Sequence, residues 1–301
     1  MSASPSETGI RIGVNPIVWS NDDFHDLGGD IPLERCLSEA RDAGYAGIEL
    51  GHKFPRDPER LRPLLDERGL ELVSGWHSTY LLERPLAEER VRFGEHADFL
   101  RAMGCSVAIV AECSRCTYTD PDAELRFPSA VGPLDEEAWS CLAAGLDELS
   151  DLARARGLRA AYHPHVGTVV QSRDEIYALM ERTRSLELLA DSGHLALAGA
   201  DPVSVLRDHR DRVVHVHLKD VREDVARRVR GGDYSFSKAV REGVFTVPGD
   251  GGIDYRPVFE LLAESAYTGW LVVEAEQDPT KAPPRRYAGT ARDYLRRVAG
   301  L

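Results

Sequence analysis

Short apolar runs alternate with amphipathic stretches along almost the whole chain. The apolar runs read as buried strands: "IRIGVNPIVW" from Ile10, "AGIELG" from Ala46, "LELVSGWH" from Leu70 and "SVAIVAEC" from Ser106. "LRAAYHPH" from Leu158, "LELLADSGH" from Leu186, "RVVHVHLKD" from Arg212 and "GWLVVEAEQ" from Gly269 continue the series. Helix-period stretches lie between them, such as "PLERCLSEARDAG" from Pro32 and "DEEAWSCLAAGLDELSDLARARG" from Asp135. Gly44, Gly69, Gly104 and Gly157 follow predicted helices, where a left-handed cap suits glycine. Asp57–Pro58 and Asp201–Pro202 read as an N-cap followed by a first-turn proline. Eight strands, each followed by a helix, imply parallel strands with helical crossovers and predict a single (β/α)8 TIM barrel, an α/β fold. A doubly wound open sheet would place a glycine-rich turn after its first strand, and "GVNPIVWSNDD" carries no G-x-G-x-x-G.

No linker divides the chain, so residues 10–301 are expected to form one catalytic domain, preceded by a flexible polar tail over residues 1–9. The tail has neither the basic nor the apolar region of a signal peptide, and no run reaches the length of a membrane span, so a cytoplasmic setting is expected. Two connections are long, Ser114–Leu134 after the fourth strand and Val221–Asp254 after the seventh. The "PGDGG" run in the second has no accompanying P-loop lysine pattern and reads as a flexible βα loop. Apolar content of 43% allows a substantial core, and a formal net charge of -13 argues against nucleic acid as the partner. The five cysteines are scattered, and Cys113–Cys116 is expected to be two reduced thiols near a strand end.

The informative pattern is where the ionisable residues fall. In "VVHVHLKD" strict alternation puts His215, His217 and Lys219 on one face and Val214, Val216 and Leu218 on the other. The other strands end likewise in polar groups: Glu49, His77, His163 with His165, Asp191 with His194, and Glu274 with Glu276. In a parallel barrel the inward face at the strand C-termini is where such residues converge without spoiling the helix packing. With His77 facing inward, Trp76 is expected to face outward. Imidazoles and carboxylates from four strands suit a divalent first-row metal, and His163, Asp191, His217 and Glu274 are the chosen ligands. Mn, Co, Zn and Fe all fit that donor set. His165, His194, Lys219 and Glu276 then surround the metal as acid, base or orienting groups, and Asn15, Glu49 and His77 are expected to bind substrate. No G-x-S-x-G elbow supports a serine nucleophile.

"NPIVWSNDD", "GIELGHKFPRD", "LVSGWHS", "HVGTVVQ", "DSGHLALAGADP", "HVHLKDVR", "GVFTVPGDGGIDY" and "GWLVVEAEQDP" resemble the inosose dehydratase family of myo-inositol catabolism. That family sits among the xylose-isomerase-like barrels, with keto-sugar epimerases and a dehydroshikimate dehydratase. The resemblance implies metal-dependent removal of water from 2-keto-myo-inositol, with Mn or Co as the favoured ion, a small cyclitol or keto-sugar as partner, and a possible homo-oligomer. The superfamily pattern places one ligand on each of strands five to eight, matching His163, Asp191, His217 and Glu274. Epimerases usually carry Glu at the strand-five position. The dehydroshikimate dehydratases carry a His matching His165, an Asp-x-x-His matching Asp191 and His194, and a His-x-Lys matching His217 and Lys219. The chain departs from the resembled pattern at Pro164, where a His is favoured, at His77, where a Tyr is, and through "SRCTYTDPDAELRFPSAVG".

The implied chemistry uses His165 as base, Lys219 against the enediolate charge, and His194 or Glu276 as the acid, with base and acid interchangeable. A keto-sugar epimerase of the same barrel is the alternative. A metal-dependent nuclease is disfavoured by the acidity, and a silent sugar-binding module would keep its ligand without a metal.

Overall fold

The computed structural model describes residues 9–301. The expected tail falls, but for Gly9, outside the described residues.

Eight parallel strands close into a barrel in sequence order. They are β1 (Ile10–Val14), β2 (Gly47–Leu50), β3 (Glu71–Thr79), β4 (Val107–Glu112), β5 (Arg159–Tyr162), β6 (Glu187–Asp191), β7 (Val213–Leu218) and β8 (Gly269–Val273). β8 pairs with β1, completing the ring. The predicted helix boundaries follow from their caps. Asp57 accepts from the Glu59 amide, and Asp201 from those of Val203 and Ser204. Gly44, Gly69, Gly104 and Gly157 all adopt positive φ.

Outward strand residues such as Ile48, Leu72, Ala108, Tyr162, Leu188, Val216 and Val273 join the apolar layer shared with the surrounding helices. Inside the barrel, Val73, Trp270 and Val272 pack as one small cluster. Val107, Ile109, Ala161, Leu189 and Val214 form another. These side chains fill the barrel interior and leave its C-terminal mouth to the polar groups.

Two breaks in register decide which residues reach that mouth. Between β6 and β7, Leu188 pairs with Val213 but Leu189 with His215, so β7 carries one extra residue. Val214 therefore joins the interior cluster beside His215, correcting its expected outward position, while Val216 and Leu218 face out as expected. Between β2 and β3, Ile48 pairs with Leu72 but Leu50 with Gly75. A one-residue insertion of this kind reverses the facing of everything beyond it.

The long connections are ordered. Val221–Asp254 contains two helices, Glu223–Gly231 and Phe236–Arg241, and a short antiparallel ribbon of Asp220–Val221 with Phe245–Thr246. The "PGDGG" run is a wrapped loop, corrected from a flexible one: the Asp220 carboxylate accepts from the Val221 and Ile253 amides, and Gly251 packs directly on it. Ser114–Leu134 meets this segment, with the Leu125 amide donating to Tyr234 and a bridge joining Glu124 and Ser235. Together the two segments overhang the barrel mouth. Cys113 and Cys116 are free thiols. Among the described residues no helix is long and apolar enough to cross a membrane.

Candidate metal and catalytic centre

The mouth holds a cavity of about 580 Å³, its opening included. Asn15, Glu49, His163, His165, His217, Glu274 and Glu276 line it, as do Asp22, Asp23, Trp76 and Tyr118. Asp191, His194 and Lys219 lie just behind this wall, each at most 1% exposed.

Each candidate ligand is held by a second contact. Asp191 ends β6 and caps the helix Ser192–Leu197: its Oδ1 accepts from the Gly193 and His194 amides, leaving Oδ2 directed at the cluster. His163 Nδ1 lies 2.9 Å from the Pro164 carbonyl. A carbonyl can only accept, so that nitrogen donates and Nε2 is turned toward Asp191. His217 Nε2 lies 3.1 Å from Glu49 Oε1, which turns Nδ1 toward Asp191 and Glu274. Asn15 Nδ2 donates to both Glu49 and Glu274.

Asp191 Oδ2 is 3.4 Å from His163 Nε2 and 3.4 Å from His217 Nδ1, and His217 Nδ1 is 2.8 Å from Glu274 Oε2. Asp191 Oδ2 and His217 Nδ1 are buried, and their close polar contacts are with one another and with the neighbouring candidate groups. Roughly 3.4 Å is the edge of a tetrahedron of N and O donors about 2.1 Å from a central ion. Two of these separations match that edge, and the buried group His163, Asp191, His194 and Glu274 could hold a divalent cation. Burial opposes a charge on His217, but Glu274 and Glu49 hold its pKa well above the usual histidine value. Surroundings that favour a proton there favour a cation in its place. His194 offers a further nitrogen near His163, Asp191 and Glu274, within 4.8 Å of their ligand atoms.

A second cluster adjoins the first. His165 Nδ1 lies 2.8 Å from the Val166 carbonyl, so its bare Nε2 faces the cavity, 3.8 Å from Glu276 Oε1. His194 Nε2 is 3.4 Å from the same oxygen, and Lys219 Nζ lies 2.8 Å from Glu276 Oε2, 2.7 Å from Glu274 Oε1 and 2.8 Å from His194 Nε2. Burial opposes the ammonium, yet Asp191, Glu274 and Glu276 raise the Lys219 pKa above its ordinary value. Burial, with His165 and Lys219 beside it, keeps His194 well below the usual histidine range.

His77 is not part of this centre. The extra residue on β3 turns Trp76 inward, edge-on to His163 and His165 with ring centroids 5.3 and 5.7 Å away. His77 turns outward against Phe93 and His96 of the helix Leu86–Met103. Both expectations for these two residues are reversed by that one insertion. Burial first, then His96, depresses the His77 pKa to about 3, and burial takes His96 to about 4. The unfolded chain therefore binds protons from about pH 6.5 downward that the fold refuses, and stability falls by about 1.4 kcal/mol per pH unit for each histidine. This contribution is present above pH 6.5 and is lost as the pH drops toward 4. His77→Phe removes one such group and should flatten the acid limb of urea-derived stability between pH 6 and 4 by about that slope. A collapse of kcat/KM in this variant would instead return His77 to the substrate.

Sequence reasoning also missed Tyr118, Asp22 and Asp23. Tyr118 stacks obliquely on His165 at 4.5 Å from within the divergent loop, a position no periodicity could locate. The two aspartates stand in the quoted "NPIVWSNDD" stretch, which was the available signal.

Residues 37–298 match the family of xylose isomerase-like TIM barrels. The chain is 46% identical over 297 residues to the inosose dehydratase of Geobacillus thermodenitrificans, covering 98% of this chain and 99% of that one. The chain belongs to the inosose dehydratase family. Another relative is the rhizopine catabolism protein MocC of Rhizobium meliloti, 46% identical across 96% of this chain and 89% of that one. Solved structures share the fold at low identity. The D-allulose 3-epimerase of a Methylomonas species, bound to D-allulose, superposes with a TM-score of 0.66 at 18% identity over 99% of each chain. The IOLI protein with a zinc atom gives 0.65 at 16% identity, over 96% of this chain and 98% of that one.

In this inosose dehydratase family member Glu49 is a hub. Besides His217 and Asn15 it is bonded by His215 and Ser74, so its oxygens are occupied beneath the candidate ligands. Glu49→Gln should weaken metal affinity about 10–100-fold, as loss of a ligand's supporting carboxylate does. Competition against a chelating dye reads this directly, and unchanged affinity would make Glu49 a substrate contact alone.

Proposed function

We propose that this protein is a metal-dependent dehydratase that removes water from 2-keto-myo-inositol, or a close cyclitol ketone, through an enediolate. The observation that carries the reading is the 46% identity to an inosose dehydratase across nearly both whole chains. The geometry of the mouth supports it. His163, Asp191, His217 and Glu274 are the proposed ligands of a divalent ion, with Mn and Co favoured and Zn or Fe also compatible with the donors. Such an ion supplies Lewis acidity toward a ketone and its neighbouring hydroxyl.

The remaining work falls to the protein. His165 Nε2, bare and facing the cavity, takes the proton on the carbon next to the carbonyl. Lys219, behind Glu274 and Glu276, offsets the negative charge that develops on the enediolate oxygens in a site of low dielectric. The carbon–oxygen bond of the β-hydroxyl then breaks as that oxygen receives a proton and leaves as water. Glu276 lies within 3.8 Å of His165 Nε2 and 3.4 Å of His194 Nε2, so it can relay the proton between them. The resulting enol becomes the dione. Trp76 and Tyr118 flank the base and shield it from bulk water.

The test is a metal-reconstituted assay on 2-keto-myo-inositol, following loss of one water by mass and the dione by ultraviolet absorbance. EDTA should abolish turnover, and Mn or Co should restore it. A product of unchanged mass would mark an epimerase instead, and turnover indifferent to EDTA would remove the metal from the reading.

A further inference from the structure

The second cluster, His165, His194 and Glu276, brings three ligand atoms within 4.8 Å of one another, all buried, immediately beside the first. Such a set is itself suited to a divalent ion. It already holds a cation: the Lys219 ammonium is 2.8 Å from both Glu276 Oε2 and His194 Nε2, and 2.7 Å from Glu274 Oε1. We propose that the centre is built for two cations and that the Lys219 ammonium permanently fills the second position, fixing the metal content at one ion per chain. This rests on the reading that His163, Asp191, His217 and Glu274 hold the first.

Charge and packing both favour the assignment. Glu49, Asp191, Glu274 and Glu276 bring four carboxylates into one buried cluster, each at most 5% exposed. The Lys219 ammonium reaches three of them, Asp191, Glu274 and Glu276, and neither Arg nor Lys is among the residues lining the cavity. One divalent ion plus one ammonium leaves the four charges nearly balanced, whereas one ion alone leaves two uncompensated negative charges in low dielectric. The backbone makes room for the amine: a Cβ on Gly193 would fall 2.4 Å from Lys219 Cγ and 2.6 Å from its Cδ. A glycine is needed there for the lysine stem to pass.

Removing the amine should therefore open a second metal site. The unaltered protein, titrated with Mn²⁺ and desalted, is expected to retain one ion per chain. Lys219→Ala and Lys219→Gln should retain two, and the paired ions should give an exchange-broadened electron paramagnetic resonance signal. Lys219→Ala combined with Glu276→Gln should return to one, because a ligand of the second site is lost. Folding of each variant is checked by its thermal transition in EDTA. Folded Lys219 variants that still hold a single ion would overturn the inference. So would a second tightly held ion in the unaltered protein, which needs no variant at all. No bound ion in the unaltered protein would fail the underlying metal reading, a separate outcome.

Discussion

Asp191→Asn is expected to empty the proposed first metal site while leaving the barrel folded. The substitution keeps the cap, because the amide oxygen can still accept from the Gly193 and His194 amides that hold Oδ1. It replaces Oδ2 by an amino group aimed at His163 Nε2 and His217 Nδ1, each 3.4 Å away. That group donates where a ligand must accept. The variant also takes a negative charge from a buried cluster. Breaking one side of a buried ionic contact typically costs about 3–5 kcal/mol, so metal affinity should fall roughly 10²–10⁴-fold at about 1.4 kcal/mol per decade. Two measurements check this. Metal content after gel filtration should drop from one ion to none, and turnover should fall with it. The unaltered protein should melt at higher temperature when metal is added, by about 2.7 kcal/mol of stabilisation at a hundredfold excess over Kd. Asp191→Asn should show no such shift. A full complement of metal in the variant would remove Asp191 from the ligand set.

Much of this centre was legible because chemistry and parity coincide. From the end of β8 onward, Val273 and Ala275 pack outward while Glu274 and Glu276 face the cavity, as simple alternation requires. His163 and Asp191 follow directly from strands whose outer residues, Tyr162 and Ala190, join the helix layer. What was not legible is the pair of one-residue insertions. Alternation from Val73 carries His77 inward, and only the register across β2 and β3 reveals that Ser74 breaks the count. The same device on β7 puts Val214 and His215 on one side. An insertion leaves no compositional trace, because "LVSGWH" alternates as well in one phase as in the other. Tyr118 was hidden differently. Its position depends on the Thr117 amide bonding to the Gly167 carbonyl, a contact between two distant loops that local pattern cannot supply. The insertions are also functional features. Without the one on β3, Ser74 would turn away from Glu49 and Trp76 from the two cavity histidines.

His165→Ala is expected to cut turnover by about 10²–10⁴-fold, the usual contribution of a positioned general base. The rate alone would not separate a base from an acid, since both elimination steps would slow. Solvent exchange separates them. In D₂O a protein able to form the enediolate should place deuterium on the carbon next to the ketone even when water loss is slow. His165→Ala should lose both exchange and dehydration, because the first proton is never taken. Glu276→Gln, which removes the proposed relay to the leaving oxygen, should keep exchange and lose dehydration. Geometry favours this order of roles: the bare His165 Nε2 opens on the cavity, whereas His194 stands behind Glu276 with 1% exposure. The space left by His165→Ala is bounded by Trp76, Tyr118 and Phe236, the rings packed on the imidazole. Added imidazole should therefore restore part of the exchange rate, an effect that a merely structural loss would not show. If His165→Ala retained exchange and lost only dehydration, base and acid would trade places. Near-normal turnover would remove His165 from the chemistry and leave the proton to be taken by another group lining the cavity.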